Sequence, residues 1–256
     1  MEKMEKEYLD LLRFNLNGVT NFDENIIKSE LDLYLKTKLD DDWENYTSEH
    51  DTLSTWKESF YKYPSLNPMY KKLIDDINKL DVKTVCEIGA GSGNILKYVY
   101  DNNKNLEVTG VEAYNKHYNQ MLENFKSETT IIEPFIDVPA NAIRGLAQDI
   151  PLMDGSQDLI YTMTVMMHIP YLLAIKAIME LSRVTNKYVV HVERKDGNVV
   201  MGNQENSQYN KLHIDYKGIY EHLGFKTLDY HEFPYTEGNG EVYNHIKCIY
   251  YLGKKT

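Results

Sequence analysis

Three carboxylates and one histidine stand where they could do chemistry: Glu87, Glu112, Asp149 and His168. Glu87 opens the run Glu87-Ile88-Gly89-Ala90-Gly91-Ser92-Gly93-Asn94. Glycines permit a tight turn and let a ligand approach the backbone. A helix that begins there presents free N–H groups. A dinucleotide loop has the spacing Gly-x-Gly-x-x-Gly. Here Gly89 and Gly91 fit, but Asn94 stands at the third position, and the glycines run Gly-x-Gly-x-Gly. Glu87, two residues before the first glycine, would repel a pyrophosphate. It suits a ligand with a cationic amine, so the loop matches a nucleoside carrying an amino acid better than a dinucleotide. Glu112 follows Gly93 by nineteen residues, at the end of a strand-like run. An acid in that place can take both hydroxyls of a ribose. Asp149, in Gln148-Asp149-Ile150-Pro151, would follow a third strand, where an adenine amine needs an acceptor.

His168 lies in Met163-Thr164-Val165-Met166-Met167-His168-Ile169-Pro170, just past a fourth strand. Open α/β sheets place ligands at that end, and histidine has the pKa range of a general base near neutral pH. His191 and Glu193 are second candidates. Arg194 and Lys195 beside them could meet an acidic substrate. Met163, Met166 and Met167 read as core packing.

These residues need a scaffold, and the chain predicts one. From Lys83 onward strand-like and helix-like stretches alternate. Strands are expected at Thr84–Ile88, Leu106–Glu112, about Ala142–Leu146, Asp158–Met163, Tyr188–Glu193, Phe225–Phe233 and His245–Leu252. Helices are expected at Ser92–Asp101, Tyr114–Lys126, Tyr171–Val184 and His213–Leu223. Such alternation implies an α/β fold with a mostly parallel sheet covered on both faces. The two late strands, joined only by a loop, suggest an antiparallel end. The first eighty residues read as helices, roughly 2–14, 23–39 and Pro68–Leu80, with the Tyr61–Pro68 stretch breaking the pattern. The expected domains are therefore 1–80, a helical extension or lid, and 81–256, the sheet domain. The proline-containing stretch Ser127–Ala142 reads as a loop or insertion. Tyr61, Tyr63 and Tyr70, with the loops Asp196–Tyr209 and Pro234–Tyr243, are expected lid elements.

Composition narrows the partners. The 256 residues carry 28 Lys and Arg against 39 Asp and Glu, a formal net charge of −11. Phosphate backbones need clustered cations, so nucleic acid and anionic membrane surfaces are not expected as main partners. Cys86 and Cys248 cannot form a disulfide framework or a four-cysteine zinc site, and no metal is expected. The N-terminus is charged where a signal peptide needs an apolar core, which points to the cytoplasm.

The motifs together resemble those of the class I S-adenosylmethionine-dependent methyltransferases. Val85-Cys86-Glu87-Ile88-Gly89-Ala90-Gly91-Ser92-Gly93 is similar to that family's first motif, and Glu112 to its ribose acid. Ala147-Gln148-Asp149-Ile150-Pro151-Leu152, with Asp154-Gly155-Ser156-Gln157-Asp158, resembles its adenine-side motif. The resemblance covers about Lys83 to Glu193. It implies a Rossmann-like doubly wound seven-stranded sheet, mostly parallel with an antiparallel C-terminal strand. It implies an enzyme that uses S-adenosylmethionine and releases S-adenosylhomocysteine. Glu87, Gly89, Ala90, Gly91 and Gly93 would hold the methionine moiety. Glu112 and Ala113 would hold the ribose, and Gln148, Asp149 and Ile150 the adenine. Thr162 and Met163 would lie under the sulfonium, and His168 would be the catalytic base. The acceptor is expected to be a small polar metabolite, a sugar or phospho-conjugate, and the protein a monomer or homodimer. A protein methyltransferase, a non-catalytic scaffold of this fold and a nicotinamide oxidoreductase are the competing readings.

Overall fold

The computed structural model describes residues 68–126, 140–169, 171–195, 198–199, 211–212, 214–236 and 242–256, together with Lys6, Tyr8, Asp10 and Leu11. The expected helix 23–39, Tyr61, Tyr63, residues 127–139 and most of the Asp196–Tyr209 loop lie outside the described residues.

Short β-branched and aliphatic runs form the strands, as their side chains fit a pleated, buried surface. These are β1 (Thr84–Ile88), β2 (Glu107–Glu112), β3 (Ala140–Arg144), β4 (Gln157–Met163) and β5 (Thr185–Arg194). A two-residue ribbon follows, β6 (Asn198–Val199) and β7 (Lys211–Leu212), then the long β8 (Phe225–Thr236) and β9 (Val242–Lys255). β6 falls within the stretch Asp196–Tyr209 expected to be a loop, and β7 just beyond it. The ribbon's pairing is antiparallel and local, too short for a periodic signal. The helices are α1 (Pro68–Lys79), α2 (Asn94–Asn102), α3 (Asn115–Lys126), α4 (Tyr171–Val184) and α5 (Tyr216–His222).

The seven strands order as β3-β2-β1-β4-β5-β9-β8. β1 to β5 pair in parallel, and β9 runs antiparallel to both β5 and β8. This is the expected doubly wound sheet with its antiparallel C-terminal strand. Both faces are covered, so successive strand residues go to different cores. On one face Cys86, Ile88 and Ile160 pack with Ile175, Ile178 and Leu181 of α4. On the other, Val85, Leu159 and Tyr161 pack with Leu73 and Ile77 of α1 and Leu96 and Val99 of α2. Each fully buried Leu or Ile contributes roughly 1.5–3 kcal/mol. Both cysteines are free and buried.

Two observations concern the first eighty residues. Leu11 is fully buried and Tyr8 nearly so, both in the α4-side core. Helix α1 is built into the sheet domain: Met69, Leu73, Ile74 and Ile77 make one apolar face at helical spacing. Asp76 on α1 accepts the Tyr250 hydroxyl of β9 at 2.7 Å, and Lys72 meets Asp229 of β8 at 2.7 Å. Tyr70, expected in a lid, is instead buried among these core residues at 3% exposure. It follows the α1 periodicity inward.

Strand order reverses between β1 and β4, since the chain moves outward through β2 and β3 and then returns to the far side of β1. Ligands of open α/β sheets bind at the carboxyl ends of the strands beside such a reversal. The carboxyl ends of β1, β2, β4 and β5 bring Gly89, Glu112, Thr164 and Arg194 to that one edge.

Candidate functional site

The glycine loop leaves β1 and turns directly beneath the end of β2. The Gly89 and Ala90 N–H groups donate to the Val111 carbonyl at 2.8 and 3.1 Å, and Gly93 N–H closes the turn on the Ala90 carbonyl at 2.8 Å. Gly89 has φ +70°, and a Cβ there would lie 2.6 Å from Val165 Cγ2. Gly91 has φ +56°, but a Cβ there would meet nothing within 4 Å. One glycine is required by backbone angle and packing, the other by backbone angle beside open space. That open space is where a ligand can come against the backbone.

Two carboxylates flank this turn. Glu87 is 2% exposed and Glu112 7%. Glu87 Oε2 accepts the Tyr161 hydroxyl at 3.1 Å, and the Leu96 N–H also reaches the carboxylate. Burial still dominates and pushes the Glu87 carboxyl up to about 8, with the Glu112 charge adding to the rise. Glu112 accepts the Gly91 N–H at 2.7 Å and the Tyr114 N–H at 2.8 Å. Burial raises its pKa too, against those amides and that of Ala113. Glu112 thus ties the end of β2 to the glycine loop. Two buried acids with raised pKa values at one glycine turn mark a candidate site.

The segment after β3 is the third part. Gln148 is buried and Ile150 is 2% exposed, while Asp149 is exposed. The segment is pinned from behind by α4. Glu180 Oε2 accepts the Ile150 N–H at 3.0 Å. Arg183 donates to the carbonyls of Ile150 and Leu152 at 2.9 and 2.8 Å and to Asp154 at 2.6 Å. Arg183 also holds Glu180 through two bonds of 2.8 and 2.7 Å. Sequence reasoning missed Glu180 and Arg183, because i,i+3 charges on a helix look like a solvated pair.

After β4 the chain makes a tight turn containing a single 3-10 helix, Met166–His168. His168 sits here, reachable by solvent. Crowding by protein, and then the charge of Arg194, hold its imidazole below the ordinary value. At neutral pH the ring is therefore uncharged, the form a general base needs. Strand β6 packs beside this turn. The β8–β9 ribbon runs on past the end of β5: β5 ends its pairing at Arg194 with Cys248, while β9 starts at Val242.

The structure departs from expectation at four residues. His191 and Glu193, second candidates for a base, are fully buried. His191 bonds Thr162 at 2.6 Å and Tyr220 at 2.8 Å, and burial drives its pKa down to about 3. Glu193 accepts the Val165 and Met166 N–H groups at 3.2 and 3.1 Å, and burial pushes its carboxyl up to about 7. Thr162, expected under a ligand, has no exposed surface, and its hydroxyl is committed to His191 and Glu193. Met163 is 4% exposed in the α1-side core. Strand alternation turned these side chains into the two cores. The remaining expected residues, Glu87, Gly89, Ala90, Gly91, Gly93, Glu112, Ala113, Gln148, Asp149, Ile150 and His168, all lie on loops or strand ends at the carboxyl edge.

Known proteins share this fold. Residues 85–187 match a family model described as a methyltransferase domain. No curated protein matches significantly. Among solved structures, a putative sarcosine dimethylglycine methyltransferase from Galdieria sulphuraria superposes with TM-score 0.56 at 13% identity, covering 73% of this chain and 85% of that one. Magnesium protoporphyrin IX methyltransferase from Synechocystis, with bound S-adenosylmethionine, gives TM-score 0.52 at 13% identity, covering 75% and 78%. A SAM-dependent methyltransferase from Aquifex aeolicus gives 0.50 at 15%, covering 77% and 92%. The matched methyltransferase domain contains the glycine loop, Glu112 and the segment after β3, on a fold shared with S-adenosylmethionine-dependent methyltransferases. A methyltransferase domain marks the chain as an enzyme.

Proposed function

We propose that the chain transfers the methyl group to a small polar metabolite, and that the cleft at the carboxyl edge is where it does so. One observation carries the placement. Two buried acids, Glu87 and Glu112, close on a glycine turn whose middle residue borders open space. That donor set fits a nucleoside bearing a cationic amino acid and does not fit a pyrophosphate. In this reading Glu87 and the loop amides hold the methionine end. Glu112, with Ala113, holds the ribose. Gln148, Asp149 and Ile150 frame the adenine, with Glu180 and Arg183 fixing that segment from behind.

S-adenosylmethionine, held in that cleft by Glu87, Glu112 and the glycine loop, would supply an activated methyl on a sulfonium for in-line transfer to the acceptor. The protein's work is alignment. His168 faces the same edge with its pKa held down, and accepts the proton that a hydroxyl or ammonium acceptor must lose. A carboxylate or phosphate acceptor needs no base, and Arg194 then supplies the cation that orients it.

Support for a small polar acceptor comes from the acidic net charge and from the segments that flank the carboxyl edge, the β6–β7 ribbon and the β8–β9 arm. No helix among the described residues is long and apolar enough to cross a membrane. We take the working form to be a cytoplasmic monomer or homodimer. The test is incubation with methyl-labelled S-adenosylmethionine and panels of sugars, phospho-sugars, amino acids and peptides. Label in a small polar compound supports the reading; label only in peptide or protein moves the protein-methyltransferase reading forward. Once an acceptor is found, His168→Ala should lower turnover by roughly 10²–10⁴-fold if its proton must be removed, with cofactor affinity little changed. Full turnover on such an acceptor would discard His168 as base.

A further inference from the structure

Thr164 has φ +55°, the one positive φ outside glycine among the described residues. A β-branched residue there is strained. Such strain persists where surroundings hold it, commonly beside a functional site. The Thr164 N–H donates to the Val192 carbonyl at 2.8 Å, and its hydroxyl to the Met163 carbonyl at 2.7 Å. The next amides, of Val165 and Met166, donate to the two oxygens of Glu193. The Met167 N–H reaches the same carboxylate.

Behind Glu193 runs a line of fully buried polar groups. The Tyr220 hydroxyl donates to His191 Nε2 at 2.8 Å. His191 Nδ1–H donates to Thr162 Oγ1 at 2.6 Å, and the Thr162 hydroxyl donates to Glu193. The partners dictate this tautomer. In front, Val165 lies directly against Gly89 of the glycine loop. The turn therefore rests on Glu193 at its back and meets the first glycine at its front.

We propose that Glu193 is a positioning residue, whose carboxylate sets the Thr164–His168 turn and, through Val165, its spacing from the cofactor-holding glycine loop. The inference rests on the carboxyl-edge cleft being the cofactor site. A buried carboxylate suits this role because it can accept several N–H groups at once, and any left unpaired would be costly. An acid serving only the core would affect stability and leave ligand affinity alone.

The test uses the full chain and S-adenosylhomocysteine as probe, by calorimetry below the unfolding transition. Wild type, Glu193→Ala, Glu193→Gln and Thr162→Val are compared, with the Val165 and Met166 amide signals followed by NMR. Glu193→Ala is expected to weaken binding about 10-fold or more, the scale of lost charged hydrogen bonds. Glu193→Gln should recover part of that, since one amide oxygen still accepts. Thr162→Val should give a smaller loss in the same direction. The Val165 and Met166 amide signals should move in each variant. Should Glu193→Ala fail to fold, the Gln and Val variants carry the test. Wild-type affinity in the folded variants, with only a lower melting temperature, overturns the proposal. No binding by the wild type overturns the cofactor-site reading itself, and this inference with it.

Discussion

The glycine-loop side of the cleft and the post-β4 side touch at Gly89 and Val165, yet they are held by different kinds of bond. On the glycine side the chain braces itself locally. Gly89, Ala90 and Gly93 bond within the loop or to adjacent β2, and Glu112 at the end of that same strand caps the Gly91 amide. On the other side, side chains from distant segments do the holding. Glu193 takes the amides after β4, and Glu180 and Arg183 clamp the segment after β3. A locally braced loop must show its geometry in glycine spacing. A loop braced from afar can have almost any sequence of its own.

This contrast can be broken first at its junction. Gly89→Ala adds a Cβ into Val165 at a left-handed φ, whereas Gly91→Ala meets only the backbone strain. Gly89→Ala should cost about 2–5 kcal/mol, strain plus overpacking, and Gly91→Ala roughly 1–2 kcal/mol. Urea denaturation of both variants checks the ranking; equal losses would mean that Val165 can move aside.

The remote bracing is next. Arg183→Ala removes the side-chain donor of the Leu152 carbonyl, and leaves the Ile150 carbonyl with only the Leu152 N–H and buried Glu180 with only the Ile150 N–H. A stability loss of about 1–3 kcal/mol is expected, with weaker affinity for adenosine as well as for the whole cofactor. Unchanged adenosine affinity would detach α4 from the adenine segment.

A smaller, pH-dependent effect separates the acids from the histidines. Glu87 has its pKa raised from 4.5 to about 8. A carboxyl raised on folding binds its proton more tightly in the native state, so its contribution is present at low pH and is lost as pH rises through 8. His191, depressed to about 3, acts oppositely but only below its unfolded value near 6.5. Between about pH 7 and 8 the histidine is silent, and unliganded stability should fall with rising pH by up to roughly 1.4 kcal/mol per unit from Glu87. Glu87→Gln should reduce that slope in a melting series to the smaller share left by Glu193, whose carboxyl is raised to about 7. A wild-type slope in the variant would assign the titration elsewhere.

Much of the sheet was legible. The bounds of β1 and α4 match the expected spans residue for residue, because buried parallel strands and amphipathic helices write their period into the chain. The third strand came out two residues early, at Ala140–Arg144, where prolines and scant periodicity hide it. The glycine loop and Glu112 were legible from spacing. Glu193 misleads, because its charge suggests chemistry and only its contacts across the sheet reveal a support. Glu180 and Arg183 gave no signal, since a tertiary clamp has no sequence period.

The central claim is that Glu87 and Glu112 receive the cationic cofactor at the glycine loop. Calorimetric titration with S-adenosylhomocysteine near pH 7, in two buffers of different ionisation enthalpy, tests it most directly. With its carboxyl raised to about 8, Glu87 is mostly protonated there before binding, and an incoming ammonium favours its ionised form. The account predicts micromolar binding with net proton release, lost in Glu87→Gln, and an affinity weakened by about 1–3 kcal/mol in Glu112→Ala. No binding, or binding with neither proton release nor sensitivity to Glu112, would contradict it.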